Sequence, residues 1–149
     1  MKRRTFLQGS LAAGAAGMAV SAGLLTPRMV LADGSAFDAK TLDDTLKAMA
    51  ITPEESGDVK IKAPEIAENG AVVPVTVTGP EGTTELSILV ENNPNPLAAT
   101  FILGEGAKPE ASTRIKMGKT SNVIALAKVG DKTLSAKQEV KVTIGGCGG

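Results

Sequence analysis

The side chain best suited to covalent chemistry is Cys147, the only cysteine among 149 residues, set in the run Gly145-Gly146-Cys147-Gly148-Gly149. A buried cysteine packs against neighbours, whereas glycine offers none and leaves the backbone its greatest freedom and least bulk. Such a run presents a thiol outward on a slim arm. Counted from Ile144, Cys147 stands three residues out, a reach of roughly 10 Å when extended. The pattern predicts a covalent carrier whose thiol holds a small substrate and enters the active sites of other proteins.

The rest of the sequence supplies no activating group for that thiol. It contains no histidine, so neither a Ser-His-Asp triad nor a Cys-His pair is available. The acidic pairs Asp43-Asp44 and Glu54-Glu55 read as an exposed helix face and a turn. Pro80-Glu81-Gly82 and Gly104-Glu105-Gly106 read as turns, because no helix with phosphate-loop spacing follows them. One cysteine cannot build a thiolate metal site and the acids lack calcium-loop spacing, so neither a metal nor a cofactor is expected. The C-terminal carboxylate two residues beyond Cys147 disfavours the thiolate and raises the thiol pKa. An accessible but unactivated thiol suits a non-catalytic carrier whose visited enzymes provide the activation. The alternative is a thiol-disulfide redox adaptor acting through an intermolecular disulfide at Cys147, which needs a resolving thiol from elsewhere. A third class, a purely structural β-sandwich adaptor, would make Cys147 dispensable.

At the other end, Lys2-Arg3-Arg4-Thr5-Phe6-Leu7-Gln8 precedes an apolar Ala/Gly-rich run from Gly9 to Leu25 and the small-residue site Val30-Leu31-Ala32. The arginine pair Arg3 and Arg4, the short and modestly hydrophobic run and the V-x-A end predict a twin-arginine signal over residues 1–32, cleaved after Ala32. After cleavage no membrane attachment is expected. Residues 33–144 then form one domain and 145–149 the arm. All 16 acids lie beyond Ala32, together with 12 of the 16 cations, which leaves the domain a net charge of −4 and makes it a poor nucleic-acid binder. An odd cysteine in an oxidising compartment is either paired with another molecule or kept reactive. The twin-arginine route moves folded proteins, so with no cofactor expected, the reading is a partner that joins the domain before export.

The elements that must position the arm are mostly strands. Phe37 to Ala50 reads as a helix through Phe37, Leu42, Leu46 and Met49, ended by Thr52-Pro53. Seven β-patterned runs follow, separated by Gly, Pro and Asn: Val59 to Ile66, Ala71 to Thr78, Thr84 to Glu91, Ala98 to Leu103, Ser112 to Met117, Val123 to Val129 and Thr133 to Ile144. That spacing predicts an all-β sandwich with an added N-terminal helix. Val123 to Val129 and Thr84 to Glu91 carry apolar residues on both faces, which calls for either the helix or a partner to cover the sheet. The mature chain holds only Phe37 and Phe101 as aromatics, so it has no stacking platform for bases or sugars.

The tail Val140-Lys141-Val142-Thr143-Ile144-Gly145-Gly146-Cys147-Gly148-Gly149 closely resembles the terminus of the SoxY family, the sulfur-carrier subunits of the periplasmic thiosulfate-oxidising (Sox) system. The likeness extends through Ala63-Pro64-Glu65-Ile66-Ala67-Glu68-Asn69-Gly70-Ala71-Val72-Val73-Pro74-Val75, Glu91-Asn92-Asn93-Pro94-Asn95-Pro96 and Ser112-Thr113-Arg114-Ile115-Lys116-Met117. The resemblance implies an immunoglobulin-like sandwich of about seven strands, paired as a heterodimer with a SoxZ-like subunit that lacks its own signal. It also implies that Cys147 bears the sulfur intermediates, an S-thiosulfonate and then a persulfide. A c-type cytochrome enzyme loads thiosulfate, a thiosulfohydrolase releases sulfate, and a sulfane dehydrogenase, where present, oxidises the persulfide.

Overall fold

Alternation of Val73, Val75 and Val77 with Pro74, Thr76 and Thr78 gives a strand with one dry face, the three valines being fully buried. This pattern governs the chain throughout residues 34–143, which the computed structural model describes. Two short helices, α1 (Gly34–Asp38) and α2 (Leu42–Ala48), precede nine strands. These are β1 (Glu54–Glu55), β2 (Lys60–Lys62), β3 (Ile66–Ala67), β4 (Val73–Thr78), β5 (Thr83–Val90), β6 (Leu97–Ile102), β7 (Glu110–Ile115), β8 (Ser121–Val129) and β9 (Lys132–Val142).

The small sheet runs β2-β4-β7, and the large one β1-β9-β8-β5-β6 with β3 also on β9. Both β1 and β3 run parallel to β9, on Leu134–Ser135 and Lys141–Val142 respectively. An N-terminal segment shared between two sheets in this way is the immunoglobulin-like arrangement. Between the sheets lie Val73, Val75, Val77, Leu86, Ile88, Val90, Val123, Ala125, Ala127 and Val140.

The sandwich and its helical addition follow the sequence reading, with three differences. Seven runs become nine strands, because Val59 to Ile66 is not continuous. β2 pairs with β4 in one sheet, Ala63-Pro64 breaks the run, and β3 joins the other sheet. The two-residue β1 has no period to detect. The helix is split, since Thr41 is extended and its Oγ1 accepts from the Asp44 amide at 3.1 Å, capping α2. The same helix ends before Thr52-Pro53: Ala50 donates to Lys47 O (3.0 Å) and Ile51 to Leu46 O (3.2 Å), a Schellman closure with Ala50 at φ 54°.

The two-faced apolar runs are covered by the helices. Leu89 of β5, Leu126 of β8 and Leu97 of β6 are buried with Ala36, and Leu42, Leu46, Met49 and Ile51 pack against them. The β8–β9 hairpin turns through Gly130-Asp131 with only Gly130 at positive φ (60°), which suits a type II′ turn.

Candidate functional site

Cys147 and its flanking Gly145, Gly146, Gly148 and Gly149 lie outside the described residues, as do the signal residues Arg3 and Arg4. What the structure gives is the platform from which the arm departs. β9 is the longest strand, and the end of its ladder is held on both flanks. On one side Lys141 N–H donates to Glu65 O (2.9 Å) and Thr143 N–H to Ala67 O (3.1 Å). On the other, the β8 ladder stops at Ser121 opposite Val140, and the Thr120 hydroxyl continues it by accepting from Val142 N–H at 3.0 Å. The chain is therefore fixed to within four residues of Cys147, which gives the thiol a reach of roughly 13 Å from Thr143.

Two further segments hold this root. Gly70 brings the turn before β4 against both the chain beyond β7 and the end of β9: a Cβ there would stand 2.4 Å from Met117 O and 2.9 Å from Val142 Cγ1. No side chain fits such an approach, and Met117 N–H donates to Gly70 O at 2.7 Å. Opposite, the Asn92-Asn93 turn clamps the β7–β8 connection. Asn93 donates through Nδ2 to Lys116 O (2.7 Å) and accepts through Oδ1 from Gly118 N–H (3.2 Å). The Asn92 amide donates to Ser121 Oγ at 3.0 Å. Asn95 ties the same turn to α1 by donating to Phe37 O at 2.8 Å. A continuous set of bonds thus runs from this turn, through residues 116–121, to Val142.

The surface around the root is mixed. Ile66 and Val72 are 57% and 51% exposed, and Glu65, Glu68, Lys116, Lys119 and Lys141 are exposed as well. Lys137, by contrast, lies farther back on β9 and pairs with Glu55 at 3.2 Å, while Lys132 pairs with Glu54 at 3.9 Å. That accounts for the acidic pair Glu54-Glu55, and Asp43-Asp44 occupies the first turn of α2, where negative charge complements the helix dipole.

Sequence reasoning located the thiol and its arm but missed the residues that anchor them, namely Ala67, Gly70, Asn92, Asn93 and Thr120. The available signal was indirect. The three internal segments quoted above for their resemblance converge here, the first as β3 and the Gly70 turn, the second as the asparagine clamp, the third as β7 leading to Met117.

The family model for "Sulfur oxidation protein SoxY" matches residues 44–147, a span that includes Cys147. Among solved structures, the sulfur carrier protein SoxY from Chlorobium limicola f thiosulfatophilum is similar at 45% identity and a TM-score of 0.63, covering 70% of this chain and 97% of that one. A superoxide reductase (neelaredoxin) from Ignicoccus hospitalis shares the fold at 19% identity and a TM-score of 0.51, over 57% of this chain and 79% of its own. A search of curated proteins finds no match.

Proposed function

Since the chain belongs to the SoxY family, we propose that it is a sulfur carrier of sulfur oxidation that holds its intermediates covalently on Cys147. The observation that carries this reading is the anchoring of β9 on both flanks up to Thr143, with the family match continuing through Cys147. A rigid strand end followed by a short glycine arm limits where the thiol can travel while leaving it slim enough to enter a cleft. Tethering also spares the intermediate from diffusing away between enzymes that each bind weakly.

In the proposed cycle the thiol and thiosulfate join through a new S–S bond, releasing one proton and two electrons to a c-type cytochrome enzyme. Water then cleaves the terminal S–S bond with loss of sulfate and a proton, leaving a cysteine persulfide for a sulfane dehydrogenase or another acceptor. The carrier itself moves no proton and needs no cofactor in this reading. A SoxZ-like subunit completes it as a heterodimer. Arg3 and Arg4 send the chain to the periplasm folded, so replacing both by lysine should hold the chain and its partner in the cytoplasm, as fractionation would detect.

The test is Cys147→Ser. The variant is expected to fold and bind its partner normally while thiosulfate oxidation by the cells is lost, and retained oxidation would overturn the proposal. A thiol-disulfide adaptor would also lose function, but its Cys147 would be found only in protein or glutathione disulfides.

A further inference from the structure

The large sheet ends in a strand that carries none of the usual protection of a free edge. β6 has the sequence Leu97-Ala98-Ala99-Thr100-Phe101-Ile102, with no charge and no proline. Edge strands ordinarily carry charges, prolines or covering segments because their unpaired amides and carbonyls template further pairing. The free edge of the small sheet obeys that rule, since β7 carries Glu110 and Arg114. On the opposite side of the large sheet β9 is covered by β1 and β3.

Among the described residues β6 is bonded on one side only. Leu103 N–H donates to Thr84 O at 2.9 Å, and the register continues with Leu86 opposite Phe101 and Ile88 opposite Ala99. In an antiparallel ladder the bonded residues alternate, so the amide and carbonyl groups of Thr100 and Ile102 point away from β5. At its end Ile102 is 65% exposed, the most exposed of the large hydrophobic residues described. Ala98, passed over where the register shifts between Ile88 and Leu89, is exposed as well.

We propose that β6 pairs antiparallel with β6 of a second copy of this chain, about a two-fold axis at Thr100, so that the large sheets of the two copies become continuous. Ala99 and Phe101 point to the core and Thr100 to the outer face, so matching faces restrict the register to steps of two residues. One step in one direction sets Phe101 against Phe101; one step in the other sets Ile102 against Pro96, which has no amide to donate. With Thr100 opposite Thr100, Ile102 stands opposite Ala98 and Phe101 opposite Ala99, a large residue against a small one in each pair. With no charge on the strand, nothing repels across the axis, and the outward groups of Thr100 meet as a hydrogen-bonded pair. This goes beyond the carrier reading and does not depend on Cys147.

Sedimentation of the purified protein under reducing conditions, which remove any contribution from a Cys147 disulfide, tests the pairing. A dimer is expected, and Ile102→Lys or Ala98→Glu should each weaken it at least about tenfold, because the altered pair occurs twice across the axis. The double variant I102K/A98E, which sets opposite charges face to face in this register, should restore it, and Arg114→Glu on β7 should leave it unchanged. Circular dichroism should show all of them folded, as each altered side chain lies at a sheet edge. A monomeric wild type, a double variant no better than the single ones, loss of the dimer in Arg114→Glu, or occupation of this edge only by a different subunit would each overturn the proposal.

Discussion

At the scale of single residues, the carrier is one thiol and a handful of groups that aim it. Gly70 is the clearest of these, since the site of its absent Cβ is filled by the Met117 carbonyl and the Val142 side chain. Gly70→Ala is expected to destabilise the fold by about 1–3 kcal/mol through forced overpacking, measurable as a lower denaturant midpoint at unchanged slope. An unchanged midpoint would mean that the arm's root is looser than the structure shows. Cys147 was legible in the sequence because glycine neighbours and the lack of any histidine or second cysteine are local facts. Gly70, Asn93 and Thr120 were not. Their roles rest on contacts with Met117, Lys116 and Val142, which are remote in the chain and brought close by turns whose geometry no periodicity announces.

At the scale of elements, strands with a clean period of two were read nearly to their ends, as β4 and β8 show. The failures came where local pattern and tertiary need diverge. Val59 to Ile66 looks like one strand but serves two sheets, because Pro64 interrupts it and β9 needs a neighbour along its free side. The split of the N-terminal helix followed from Thr41, a capping residue whose T-x-x-D pattern was present but outweighed by the apolar spacing around it. The far end of α2 offers a direct check. Ala50 occupies the left-handed C′ position that usually belongs to glycine. Replacing it by glycine is expected to raise stability by about 1 kcal/mol, because the strain of a Cβ at positive φ exceeds the entropy glycine costs. A thermal melt several degrees above that of the parent would bear this out, and a lower one would show that Ala50 is not strained.

At the scale of the whole molecule, the sandwich and the arm divide the labour. The sandwich supplies rigidity: its core between the sheets is aliphatic, and a second apolar cluster under α1 and α2 locks the outer face of β5 and β8. The apolar character of that outer face was visible in sequence, but its cover was not, since either a helix or another protein would have satisfied it. The arm supplies access, and the visited enzymes are expected to supply the chemistry. The most direct test of this account is the mass of the Cys147 peptide from cells supplied with thiosulfate. The account predicts thiosulfonate and persulfide adducts on Cys147, carrying added sulfur that disappears when thiosulfate is withdrawn. Finding that cysteine only as a free thiol, or only in disulfides with protein or glutathione, would contradict it.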